Sequence, residues 1–305
     1  MDICSMPNPN TIALEMATGV LHAYTGRLVA FEHGTASYPN VLLFVGGLGD
    51  GLQTVPYVPL LAEKLAAYGW AVAQILISSS YIGWGTGSLM RDSQEIEQAV
   101  AYFRKQRSGK IALMGHSTGC QDTMQYLVRR PNPNPETRLD GAILQAPVSD
   151  REAMLTLFPD TYDSLLDYAL KQQASGKGND VLPSLYSDLF FNTPISAARW
   201  ISLAKKNGDD DYFSSDLDDK SLSSTFAAID APLLILVSGS DEFMPASLDK
   251  TALVNRWKTF VKPQFWTTGS GTVAGGKHNL GEGSESGAAE DAVARVSLFL
   301  SQLTA

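Results

Sequence analysis

The pentapeptide Gly115-His116-Ser117-Thr118-Gly119 has the G-x-S-x-G spacing that holds a nucleophilic serine out on a sharp turn. Chance alone gives that pattern about 0.2 times in a chain of this composition, so its surroundings decide its weight. A serine hydroxyl is a poor nucleophile until a base takes its proton. Four histidines are available. His22 and His33 fall on an opening hairpin, far from where sites form in α/β sheets, and read as ordinary surface or core histidines. His116 adjoins the serine in a strained turn and is expected to point elsewhere. His278, in Gly275-Gly276-Lys277-His278-Asn279-Leu280, is the candidate base. The base needs a carboxylate to orient it, and Asp241 lies in Gly239-Ser240-Asp241-Glu242, just past an apolar run. Glu242 competes, but its neighbouring position would aim it differently. Ser117, His278 and Asp241 in these roles would perform acyl transfer.

An acyl-transfer site also needs two N–H donors for the oxyanion. The residue after the nucleophile, Thr118, should give one. Gly46-Gly47-Leu48-Gly49-Asp50-Gly51 should give the other, through the N–H of Leu48. Asp50 follows that turn and is a candidate contact for a cationic substrate. Trp84, in a loop of glycines and aromatics at residues 81–87, is a second candidate substrate contact.

The elements around these residues alternate. Residues 19–32 read as a hairpin. Continuous apolar runs at 41–45, 71–77, 111–114, 141–148 and 232–238 read as strands buried on both faces. Residues 264–267 read as the last strand. Helical patterns run over 56–68, 88–106, from the serine turn to about 130, and over 288–303. In the second of these, Ile96, Val100 and Phe103 form one apolar stripe. Strand and helix in alternation predict an α/β fold, a mostly parallel sheet with helices on both faces. The serine motif then sits directly between a strand and a helix, where small residues two positions either side relieve crowding. Residues 149–229 break the rhythm with helical patterns at 162–173 and 195–205 and with acidic, Ser-rich loops. They read as a cap inserted into a core made of residues 1–148 and 230–305.

The chain has 305 residues and a net charge of −9, with 44% apolar and 18% charged residues. That balance excludes a disordered or fibrous protein. The acidic surface argues against nucleic acid and against anionic membranes. The N-terminal residues 1–16 lack a basic segment and an apolar core, so no signal peptide is expected. No apolar run approaches a membrane span. Cys4 and Cys120 are the only cysteines and make no disulfide framework. A cytoplasmic protein is expected. Gly271, Gly276 and Lys277 have phosphate-loop spacing, but His278 follows where Ser or Thr is required. Gly269-Ser270-Gly271 with Ala274 imitates a dinucleotide fingerprint without its helix. The histidines and cysteines form no metal constellation, and no cofactor is expected. Asp209, Asp210, Asp211, Asp216, Asp218 and Asp219 lack calcium-loop spacing and read as a solvated loop of the cap.

The order Ser117, Asp241, His278 is that of the α/β-hydrolase superfamily, which the chain resembles over nearly its whole length. Gly47-Leu48-Gly49 is similar to the His-Gly-x-Gly turn of such hydrolases, with Gly46 in the histidine's place. Three segments together narrow the resemblance: residues 45–51, the extended elbow at 115–122, and Gly276-Lys277-His278-Asn279-Leu280. They resemble a fungal family of small intracellular hydrolases that includes siderophore esterases acting on fusarinine-type esters. The resemblance implies a small-molecule ester substrate, a hydroxamate siderophore with free α-amino groups that an acidic protein would attract. General small-acyl esterases or thioesterases, and a non-catalytic binder on the same fold, are the rivals. Oligomeric state is left open.

Overall fold

The structure, a computed structural model, describes residues 16–128, 134–190 and 192–305. Cys4, the N-terminal segment and the expected end of the serine helix near Arg130 lie outside the described residues.

Eight strands form one sheet in the order β1-β2-β4-β3-β5-β6-β7-β8. The strands are β1 Gly19–Ala23, β2 Val29–His33, β3 Asn40–Val45, β4 Trp70–Ile75, β5 Ile111–His116, β6 Gly141–Gln145, β7 Leu233–Ser238 and β8 Gly271–Val273. The hairpin β1–β2 is antiparallel and joins β4 antiparallel. All other pairs are parallel. The helices are α1 Val58–Ala66, α2 Leu89–Gln106, α3 Gly119–Val128, α4 Asp150–Leu157, α5 Tyr162–Ala174, α6 Ser184–Asp188, α7 Ala197–Ala204, α8 Asp219–Phe226, α9 Lys250–Phe260 and α10 Ala288–Leu303. Among the described residues no helix is long and apolar enough to cross a membrane.

The period-2 geometry of a strand explains why the central runs are apolar throughout. Leu42 and Phe44 of β3 pack on one face with Val58, Leu61 and Leu65 of α1 and with Val296 and Phe299 of α10. Val41, Leu43 and Val45 of the same strand pack on the other face with Ile96, Val100 and Phe103 of α2. Further along that second face, Met124 of α3, Phe226 of α8 and Trp257 of α9 cover Leu144, Ile235 and Val237. Helix α2 begins where Ser88 accepts the Arg91 N–H, which satisfies one of its orphan donors.

β3 and β5 are neighbours, and the connection leaving β3 runs to β4 on one side while that leaving β5 runs to β6 on the other. This reversal opens a crevice at the carboxyl ends of β3 and β5, where ligands bind in open α/β sheets. The turn at residues 46–51 and Ser117 both lie there.

Several elements differ from expectation. The last strand is Gly271–Val273, not 264–267. Pro263 starts a 3-10 turn to Phe265, and only a single bridge, Trp266 to Leu233, touches the sheet there. Three residues beginning with glycine give no periodic signal, and β8 exists because β7 offers it an edge. Helix α9 was not expected, since its buried stripe is only Leu253, Val254 and Trp257; its visible start signal is Asp249, which accepts the Ala252 N–H at 2.9 Å. β6 stops at Gln145 rather than 148, because Ala146 turns into the left-handed region at φ 51°.

Between β6 and β7 the chain forms α4 to α8. Trp84, Met154, Tyr162, Ile195 and Trp200 form a separate apolar cluster there, with Leu48 packed against it. The acidic stretch at 209–219 is only in part the expected solvated loop: Asp209, Asp216, Asp218 and Asp219 are exposed, and Asp210 is buried. Asp210 is buried against Arg199 at 2.6 Å, Asp211 and Asp216 pair with Arg151, and Asp219 pairs with Arg256 at 2.7 Å. Asp218 caps α8 by accepting the Ser221 N–H at 2.7 Å. Arginines distant in sequence pair with four of these carboxylates, of which Asp210 and Asp211 are drawn inward while Asp216 and Asp219 stay exposed.

Candidate active site

Ser117 stands between β5 and α3 at φ 54°, a left-handed conformation that L residues avoid. Strain of about 1–3 kcal/mol at such a position persists only where the surroundings enforce it. Here they do. A side chain at Gly115 would put its Cβ 2.1 Å from the Gly119 carbonyl oxygen, and one at Gly119 would put it 2.4 Å from that of Val45. Both motif glycines are therefore required by close backbone approach, as the crowding of a strand-to-helix turn predicts. The serine N–H donates to the Gln145 carbonyl at 3.1 Å, tying the turn to β6.

His278 lies in the loop between β8 and α10, with its Nε2 2.8 Å from Ser117 Oγ and its Nδ1 2.9 Å from Asp241 Oδ2. Asp241 is buried at the end of β7, and its Oδ1 accepts the Phe243 N–H at 3.0 Å. Glu242 turns away: its Oε2 accepts the backbone N–H of His278 at 3.0 Å and supports the loop, not the ring. Burial disfavours the imidazolium of His278, but the Asp241 hydrogen bond and charge, aided by Glu242 and Asp50, raise its pKa above the ordinary 6.5.

A base must be neutral to accept the serine proton. kcat/KM is therefore expected to rise with pH through an apparent pKa above 6.5, falling about tenfold for each unit below it. A pH–rate profile checks this. An acid limb centred below 6 would contradict the assignment of His278 as base.

His116 does not point away from the site. Its ring centre is 5.0 Å from that of His278, and its Nδ1 is 2.6 Å from Gln145 Oε1. Burial first, then the neighbouring His278 charge, lowers its pKa to about 4, so it stays neutral. Gln145 was missed from sequence, although one polar residue ending the run Gly-Ala-Ile-Leu-Gln was the available signal. It accepts from Tyr57 at 3.0 Å and donates to the His278 carbonyl and to Ser238, each at 3.2 Å. Cys120 is buried beneath, its thiol pKa raised by burial, and offers no rival nucleophile.

The turn after β3 lies against the serine. A side chain at Gly47 would place its Cβ 2.5 Å from Ser117 Cβ and 3.2 Å from the Thr118 nitrogen. Asp50 holds this turn: its Oδ2 accepts the Gly47 N–H and its Oδ1 accepts the Thr54 hydroxyl, both at 2.8 Å. Leu48, Asp50, Trp84 and Thr118 line one small cavity together with Asp92, Asp122 and Arg199. The last three were not anticipated. His22 bonds Glu32 and Tyr102, and His33 bonds Gln74, so neither reaches the site.

The sheet order and the position of the serine turn at its switch point define an α/β hydrolase. The chain belongs to the family described as "Protein of unknown function (DUF1749)", whose model matches residues 8–301. It is 42% identical over 288 residues to a UPF0613 protein of Schizosaccharomyces pombe, covering 86% of this chain and 90% of that one. It is 37% identical over 317 residues to the fusarinine C esterase sidJ of Aspergillus fumigatus, covering 86% and 89%. The solved structure of siderophore hydrolase EstB from Aspergillus fumigatus superposes with a TM-score of 0.84 at 36% identity, over 96% of this chain and 99% of that one.

Proposed function

We propose that this chain is a serine esterase that cleaves the ester bonds of a hydroxamate siderophore of the fusarinine C type. The observation that carries the catalytic reading is the continuous line from Ser117 Oγ to His278 Nε2 at 2.8 Å and from Nδ1 to Asp241 at 2.9 Å. In this reading His278 takes the proton of Ser117 as Oγ attacks the ester carbonyl. The N–H groups of Leu48 and Thr118 receive the oxyanion. His278 then protonates the leaving alcohol, and a water activated by the same ring frees the acyl group. Asp241 fixes the tautomer and stabilises the imidazolium. The siderophore substrate is supported by the relatives of that name, at 37% and 36% identity. Residues 149–229 act as the cap, covering the serine and excluding water. The enzyme works in the cytoplasm on a small molecule.

Mass spectrometry of a panel of iron-free and iron-loaded siderophores, incubated with the enzyme, tests the substrate. The expected result is ring opening of a fusarinine triester with gain of one water per cleaved ester. Hydrolysis of simple acyl esters or thioesters with no siderophore cleaved would instead mark a general esterase.

A further inference from the structure

We propose that Gln145 is a positioning residue: its side chain locks His116 in the Nδ1–H tautomer and pins the loop that carries His278. This rests on the reading of Ser117 and His278 as nucleophile and base, and adds what keeps them in register with the turn at 46–51. Gln145 ends β6 and is fully buried. Its backbone carbonyl accepts the Ser117 N–H at 3.1 Å, and its side-chain nitrogen donates to the His278 carbonyl at 3.2 Å. One residue thus holds both backbones that present the 2.8 Å contact between Ser117 Oγ and His278 Nε2.

The neighbours of the amide fix which way it lies. A backbone carbonyl can only accept, so the group that faces His278 must be the amide NH₂. The same NH₂ donates to Ser238 Oγ at 3.2 Å, and the Ser238 hydroxyl points on to the His278 carbonyl at 3.4 Å. Oε1 is left facing His116 Nδ1 at 2.6 Å and the Tyr57 hydroxyl at 3.0 Å. An amide oxygen can only accept, so both of these partners must donate. Tyr57 keeps its proton, because burial raises its pKa well above the ordinary 10.0. His116 is neutral, since burial and the His278 charge lower its pKa to about 4. A neutral imidazole has one N–H, and the bond made by one nitrogen sets the state of the other. With the proton on Nδ1, His116 Nε2 is bare.

A bare Nε2 matters because of the group it faces. It lies 3.9 Å from Asp50 Oδ2. That oxygen accepts the Gly47 N–H at 2.8 Å, and Oδ1 accepts the Thr54 hydroxyl. Gly47 lies directly against the serine, since a Cβ there would come within 2.5 Å of Ser117 Cβ. A proton on His116 Nε2 would draw the carboxylate toward the ring and away from Gly47, and the turn that carries Leu48 would follow. With a lone pair there, His116 offers Asp50 no donor, and the carboxylate stays on the turn. Control therefore runs from the His278 carbonyl through the Gln145 amide and the His116 ring to Asp50. A side chain that only filled space at 145 would fix neither the tautomer nor the carboxylate.

The test reads the tautomer itself. A long-range proton–nitrogen NMR spectrum of the isotope-labelled enzyme, at about pH 7.5 where His116 is neutral, tells a protonated ring nitrogen from a bare one. The His116 signals are those lost in H116N. In the wild-type enzyme Nδ1 should be protonated and Nε2 bare. Q145M keeps the length of the side chain but offers Nδ1–H no amide acceptor, so the Nε2–H form should predominate there. Its kcat on p-nitrophenyl acetate should fall at least about tenfold with KM within about threefold, because misplacing reacting groups by about 1 Å costs up to about 10²-fold in rate. A wild-type His116 protonated on Nε2 overturns the proposal. So does an unchanged tautomer in Q145M, or a Q145M kcat within about twofold of wild type. If Q145M fails to fold, the wild-type spectrum decides: Nδ1–H supports the lock and Nε2–H overturns it. A wild-type enzyme that cleaves no ester removes the reading of Ser117, while the spectra still decide whether Gln145 sets the tautomer.

Discussion

Ser117→Ala is expected to reduce turnover by several orders of magnitude, up to about 10⁶-fold, while leaving the fold intact. The substitution removes Oγ and its 2.8 Å contact with His278. It keeps the turn, because Gly115 and Gly119 still admit the crossing backbones and alanine is no larger than serine. The residue at φ 54° is as strained in alanine as in serine, so thermal stability should change by only a few degrees. Residual catalysis of about 10³-fold over water would remain from the oxyanion donors and from substrate binding. Initial rates on an activated ester, with a melting curve for the variant, check the prediction. Hydrolysis within tenfold of wild type would mean that another group performs the attack.

Asp241→Asn should cost about 10⁴-fold in rate, through the wrong tautomer of His278. The Phe243 N–H, 3.0 Å from Oδ1, fixes which way the amide lies. The asparagine oxygen keeps that bond, so its NH₂ faces His278 Nδ1. A donor there makes Nδ1 an acceptor and moves the ring proton to Nε2. Nε2 then cannot take the proton of Ser117. Glu242→Gln provides the control, since a glutamine oxygen can still accept the His278 N–H, and its rate should stay within about tenfold of wild type. Collapse of the Glu242→Gln enzyme with an active Asp241→Asn enzyme would move the assignment by one position.

The parts of this site readable from sequence are those whose signal is local. A serine between two glycines follows an apolar strand and opens a helix, and each step leaves its mark on adjacent residues. Asp241 follows a strand in the same way, and His278 emerges once His22 and His33 fall to the hairpin. Asp92 and Asp122, which line the cavity beside the turn at 46–51, leave no such mark. They begin two different helices and meet only because α2 and α3 pack on the same face of the sheet. Asp210 and Asp211 mislead for the complementary reason. Their partners Arg199 and Arg151 belong to α7 and α4, so two carboxylates of a run that reads as solvated are held inward by ion pairs. His116 was expected to avoid the site from its strain alone, whereas the alternation of β5 turns it toward Gln145 and His278. β8 carried too few residues for any periodicity.

Labelling with a fluorophosphonate, followed by intact-mass measurement and peptide mapping, tests the covalent role of Ser117 most directly. The reagent phosphonylates only a serine whose hydroxyl is activated by a neighbouring base. The expected result is one adduct per chain, located at Ser117 in the peptide that holds Gly115-His116-Ser117-Thr118-Gly119, and absent from the Asp241→Asn enzyme over the same time. An unlabelled native chain, or an adduct on a serine elsewhere, would contradict the account.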